Sequence, residues 1–85
     1  MKISVRYFAR IREALGPGED LQFEEDGPAT VGALLDWLAS RSPRHDLALK
    51  QEQAVRSACD HVMCKLDEAL HDGAEVAFFP PVTGG

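Results

Sequence analysis

The sequence predicts an α+β fold, a mixed β-sheet with one main helix packed on one face. Three stretches carry this expectation. Lys2 to Phe8 alternate, with Ile3, Val5 and Tyr7 on one side and Lys2, Ser4 and Arg6 on the other, the period of a half-buried strand. Val31, Leu34, Leu35 and Leu38 fall at i, i+3, i+4 and i+7, the stripe of a helix with a single apolar face. Glu75 to Phe79 form a strand-like run that Pro80-Pro81 stops, because proline donates no ladder hydrogen bond.

The elements follow in order. After the first strand, Ala9 to Leu15 offer about one helical turn, closed by Gly16-Pro17-Gly18. Leu21 to Glu24 alternate again and are expected to pair with the first strand as a hairpin around a long turn. Thr30 is a good N-cap for the main helix, and Ser42-Pro43 stops it, since a residue before proline resists helical backbone angles. Arg44 to Gln53 read as a polar loop with a helical turn at Leu47-Ala48-Leu49. Ala54 to Cys59 and Val62 to Lys65 read as short strands joined tightly at Asp60-His61, and Asp72-Gly73 as the turn before the last strand. The order β-β-α-β-β-β, with the first and last strands side by side at the centre, is a β-grasp arrangement. One sheet face is then left uncovered by anything in the chain.

Composition narrows the function. Eighty-five residues fit one domain, 1–85, with a flexible C-terminal tail over 80–85 and little room for an enclosed active site. No apolar run approaches the roughly 20 residues of a membrane span. Lys2 and Arg6 interrupt the start where an export signal needs an unbroken apolar stretch, so a cytoplasmic location is expected. Nine basic against fourteen acidic side chains give a net charge of −5, which argues against phosphate backbones as partners and for a basic protein surface.

The candidate chemistry is at the C-terminus. Pro80-Pro81 hold the chain extended, and Val82-Thr83-Gly84-Gly85 reach about 13 Å further at most. Glycines at the end let a terminal carboxyl pass through a narrow channel. The ending Asp72-Gly73-Ala74-Glu75-Val76-Ala77-Phe78-Phe79-Pro80-Pro81-Val82-Thr83-Gly84-Gly85 resembles that of the small, sulfur-carrying subunits of molybdopterin synthases. Phe8-Ala9-x-x-Arg12-Glu13-x-x-Gly16 matches the same family's N-terminal signature. The chain departs from it at Cys59-Asp60, where Val-Asn is usual, and at Ala74, where an acidic residue is usual; both are expected in turn regions.

The resemblance implies a ubiquitin-like sulfur carrier. A ubiquitin-activating-like enzyme would use ATP to adenylate the Gly85 carboxylate, and sulfur transfer would give a thiocarboxylate. The tail Pro80, Pro81, Val82, Thr83 and Gly84 would then enter the large synthase subunit, which adds sulfur to a cyclic pyranopterin precursor to build the molybdopterin dithiolene. A 2:2 heterotetramer is part of the same implication, as is the lack of any permanently bound cofactor. Three alternatives stay open: a modifier conjugated to lysines, a carrier for thiazole or thiolated nucleosides, and an interaction domain with an inert tail.

Parity supplies an expectation about the partner. Phe79 falls opposite to Phe78 and should face away from the helix, and Phe8 shares the outward parity of Arg6. With Met63 they would form one exposed partner-binding patch of the kind found at interface centres. Cys59-x-His61-x-x-Cys64, with His71 beyond, looks superficially like a zinc site, but its spacing fits no common pairing. The expectation is no metal, with Cys59 and Cys64 as small packing groups and no disulfide.

Overall fold

The computed structural model describes residues 1–51 and 54–81. Its strands are β1 (Lys2–Tyr7), β2 (Gly18–Gln22), β3 (Arg56–Cys59), β4 (Val62–Cys64) and β5 (Ala74–Phe79), and they form one sheet in the order β2-β1-β5-β3-β4. β1 and β5 run parallel at its centre, with Ile3 opposite Ala74 and Tyr7 opposite Phe78; the other pairings are antiparallel. This is the β-grasp arrangement expected from the sequence, with the terminal strands as neighbours.

Helix α1 (Ala9–Leu15) follows β1 directly, and α2 (Val31–Ala39) crosses the sheet. The Thr30 hydroxyl caps α2 by accepting from the Ala33 N–H at 3.1 Å. Its stripe of Val31, Leu34, Leu35 and Leu38 packs on Ile3, Val5, Tyr7, Ala74, Val76 and Phe78, all buried. These side chains, with Ile11, Ala39, Leu49 and Cys59, are the core, and β1 and β5 each contribute only alternate residues to it.

Several boundaries differ from the sequence reading. Residues 43 to 51 are helical: α3 (Pro43–Asp46) runs into a wider π-type turn at Leu47–Gln51 that buries Ala48 and Leu49. α2 already stops at Ala39 with Ser40 as its C-cap, so Ser42-Pro43 begins the next helix rather than ending α2. The Ser42 hydroxyl accepts from the His45 N–H at 3.1 Å, and Pro43 fills a first-turn position where no amide donor is needed. β2 begins earlier, at Gly18, which lies opposite Arg6. A Cβ there would stand 2.1 Å from the Val5 carbonyl oxygen, so only glycine allows this approach of β2 to β1. Ala74 is the first residue of β5, with a buried side chain, rather than a turn residue; β3 begins at Arg56 rather than Ala54 and ends at Cys59, the strand end read from the sequence. The turn between β3 and β4 is Asp60-His61, both with positive φ (51° and 70°), as a two-residue hairpin loop requires.

No helix among the described residues is long and apolar enough to cross a membrane.

Candidate functional site: the outward sheet face and the exit of β5

β5 lies between β1 and β3, so its C-terminal end leaves the sheet from a strand fixed on both sides. Phe78 is fully buried and Phe79 half-buried on the opposite face, the parity expected from the sequence. Pro80 and Pro81 follow immediately, half-buried at the rim. Val82, Thr83, Gly84 and Gly85 lie outside the described residues.

Phe8 sits beside this exit. Its N–H donates to the Phe78 carbonyl at 3.2 Å, which extends the β1–β5 ladder by one step. Phe8 is also the N-cap position of α1, with extended backbone angles, and its ring is 47% exposed. Ala9 then turns to a left-handed φ of 53°, a strained conformation for a residue with a Cβ. The sharp reversal keeps Phe8 on the outward face while Ile11, one turn on, enters the core.

Met63 is 60% exposed and shares that face, although it does not adjoin the two aromatics. Register places it opposite Ala58, which lies opposite Ala77, which lies opposite Arg6. Two alanines thus form a low floor between the Phe8–Phe79 end and the Met63 edge, giving a shallow surface with apolar margins. Arg56, opposite Phe79 in register and exposed, adds a cation that the sequence reading did not single out. Counting parity back from the buried Cys59 would have placed it there. Val62 has the parity of Cys59 and is exposed at the open edge, so it does not belong to this face. Trp37 lies on the helix side, edge-on to Phe23 with centroids 4.9 Å apart and Arg41 5.0 Å above its ring.

A polar cluster lies on the core side of the same end. The Tyr7 hydroxyl donates to Glu19 Oε2 at 2.8 Å, Arg41 pairs with Oε1, and His45 Nε2 lies 3.3 Å from Oε2. Burial pushes the Tyr7 phenol up to about 12, against the opposing effect of Arg41. His45 is held below its ordinary value by burial and by Arg41 and Arg44. Glu19 would raise it, but that carboxylate already serves Arg41 and Tyr7, so the lowering prevails. A histidine depressed in the folded state takes up its proton more readily when unfolded. Its contribution to stability is therefore present above about pH 6.5 and is lost as pH falls through the folded value. Urea unfolding between pH 7 and pH 5 is expected to show a smaller loss of stability for His45→Gln than for the natural chain; equal slopes would remove His45 from this role.

A family model described as the ThiS family matches residues 5–85. The chain belongs to the ThiS family. Its relatives include the molybdopterin synthase sulfur carrier subunit of Escherichia coli (strain K12), 42% identical over 83 residues that make up 98% of this chain and 99% of the relative. Among solved structures, small archaeal modifier protein 1 of H. volcanii superposes with a TM-score of 0.73 at 28% identity, covering 95% of this chain and 98% of the other. A chain from the Helicobacter pylori complex of subunits 1 and 2 of molybdopterin-converting factor superposes with a TM-score of 0.66 at 23% identity, covering both chains completely, a likeness of fold. The ThiS match reaches the last residue, so it includes the diglycine ending as well as the sheet that holds β5.

Proposed function

We propose that this ThiS-family chain is the sulfur carrier subunit of a molybdopterin synthase, with the Gly85 carboxyl as its reactive group. The observation that carries the reading is the 42% identity to the Escherichia coli sulfur carrier subunit over nearly the whole of both chains. The site agrees with it: a rigid central strand ends at Phe79, two prolines follow, and the sequence closes on Gly84-Gly85.

A carboxylate is a poor electrophile until one oxygen becomes a good leaving group. In the proposed sequence a Gly85 oxygen attacks the α-phosphorus of ATP on an activating adenylyltransferase, and pyrophosphate departs with the broken P–O bond. A sulfur nucleophile then adds at the acyl carbon and AMP leaves with the electron pair, which gives a thiocarboxylate. That group stays ionised at neutral pH and is a soft nucleophile, suited to deliver sulfur to a cyclic pyranopterin within the large subunit. Acid, base and cationic groups would come from the large subunit, and Phe8, Phe79 and Met63 would dock against it.

A second reading is favoured by the likeness to small archaeal modifier protein 1: conjugation through the same activated glycine to lysines of target proteins. Intact-mass analysis of the chain purified from its own cells, with whatever co-purifies, separates the two. The expected result is a species with one oxygen replaced by sulfur, together with a large synthase subunit. Carboxylate and lysine-linked conjugates alone would overturn the carrier reading and leave the modifier.

A further inference from the structure

The end of the sheet away from Phe79 holds a cluster that the tail chemistry does not use. The left-handed Asp60 is pressed back onto the start of β5, its N–H donating to the Glu75 carbonyl at 2.8 Å and its Oδ1 accepting from the Glu75 N–H at 3.0 Å. The other oxygen, Oδ2, lies 2.6 Å from His71 Nε2 and 4.0 Å from Cys59 Sγ. His71 is fixed from behind, Nδ1 donating to the Asp72 carbonyl at 2.9 Å. One sulfur, one carboxylate oxygen and one imidazole nitrogen thus lie within 4.8 Å of one another. They line one cleft with Val62, Met63, Cys64 and Glu68.

We propose that Cys59 Sγ, Asp60 Oδ2 and His71 Nε2 bind a borderline-soft divalent cation of the zinc class, with a fourth position open to the cleft. Thiolate, imidazole and carboxylate are the ligands such an ion takes. Bonds of about 2.0–2.3 Å at tetrahedral angles separate ligand atoms by roughly 3.4 Å. The observed 2.6 and 4.0 Å bracket that value, and Asp60 and His71 are exposed enough to shift. The cation would take the place of the proton between His71 and Asp60, with that proton and the Cys59 thiol proton released to solvent.

One feature goes beyond proximity: His71 and Asp60 each use their second polar atom on backbone, the outer-shell arrangement that orients metal ligands. Sequence spacing hides the site because Cys59 and Asp60 come from the end of β3 and its turn, while His71 comes from the turn that leads into β5. His61, which the spacing suggests, instead lies 3.2 Å from Glu75 and is largely exposed. Cys59 lies opposite Val76, three strand steps or roughly 10 Å along β5 from Phe79, and Met63 borders both this cleft and the outward face.

Titration of the reduced full-length chain with Co²⁺, followed by Zn²⁺, tests the assignment. Expected are one equivalent bound, a thiolate-to-cobalt charge-transfer band with tetrahedral d–d absorption, and displacement by Zn²⁺. Cys59→Ser should abolish the charge-transfer band, and His71→Gln should weaken binding at least about tenfold. Cys64→Ser and His61→Gln should leave both unchanged. No charge-transfer band in the natural chain, or a band that survives Cys59→Ser or disappears in Cys64→Ser, overturns the proposal. Should Cys59→Ser not fold, the exposed His71→Gln decides: unchanged Co²⁺ affinity and an unchanged Zn²⁺-induced rise in Tm would equally overturn it.

Discussion

Removing Gly85 should reduce sulfur transfer at least a hundredfold while leaving the Tm unchanged. The two halves of that expectation have separate causes. Folding is expected to be indifferent because β5 ends at Phe79, and among the described residues none of the core lies beyond Phe78. Activity is sensitive because the truncated chain still ends in a glycine carboxylate but presents it short by one residue, about 3.3–3.6 Å. Reacting atoms must come within about 3–3.5 Å, and a misplacement of about 1 Å already costs on the order of a hundredfold. Pro80-Pro81 make the shortfall hard to recover, since a stiff spacer anchored on a central strand cannot slide forward without breaking β1–β5 hydrogen bonds. The measurement is intact mass after incubation with ATP, the activating enzyme and a sulfur source, alongside thermal unfolding. Full thiocarboxylate formation and full transfer by the shortened chain would refute the reach argument. A fall in Tm would instead assign the C-terminal residue a packing role.

What the sequence disclosed and what it hid follow from the range of the interactions. β1, β5 and α2 declare themselves because each buries alternate or every third-to-fourth residue against a single core, and that periodicity is written locally. The parity of Phe78 and Phe79 follows from the same rule. The helix over 43 to 51 was hidden because Ser42-Pro43 carries the signals of both a stop and a start, and only the packing of Ala48 and Leu49 decides between them. β2 starts earlier than its alternation shows because Gly18-Glu19-Asp20 has poor strand propensity; its pairing is imposed by β1 and by the room a glycine leaves at Val5. At the docking face, Phe8, Phe79 and Met63 were legible as outward, but the alanine floor between them depends on register across β5, β3 and β4. The Cys59–Asp60–His71 grouping is hidden for the same reason, as it exists only once the turn after β3 is folded against the start of β5.

The adjacent phenylalanines give the sharpest comparison in the chain, because one substitution at each should affect opposite properties. Phe78→Ala removes a fully buried ring from beneath α2, and such truncations cost about 3–5 kcal/mol. A domain of this length has roughly 4–13 kcal/mol in all, so the variant should lose about a quarter or more of its stability and unfold at well below half the natural urea midpoint if it starts near the lower bound. Phe79→Ala removes a half-buried ring from the uncovered face and should cost about 1–2 kcal/mol, with the fold intact. Binding to a large synthase subunit should show the reverse order. Phe79 stands at the point where the tail leaves the sheet, with Phe8 alongside and Arg56 opposite in register, the position of a central aromatic anchor. Its loss should weaken that complex by about 2 kcal/mol or more, some thirtyfold in Kd, whereas Phe78→Ala, under conditions where it remains folded, should bind nearly normally. Urea unfolding and calorimetric titration of both variants provide the four numbers needed. If Phe79→Ala proves the less stable variant, the register of β5 is wrong by one residue and both sheet faces exchange. If it is stable but binds unchanged, the partner docks elsewhere, and the outward face loses its assigned role.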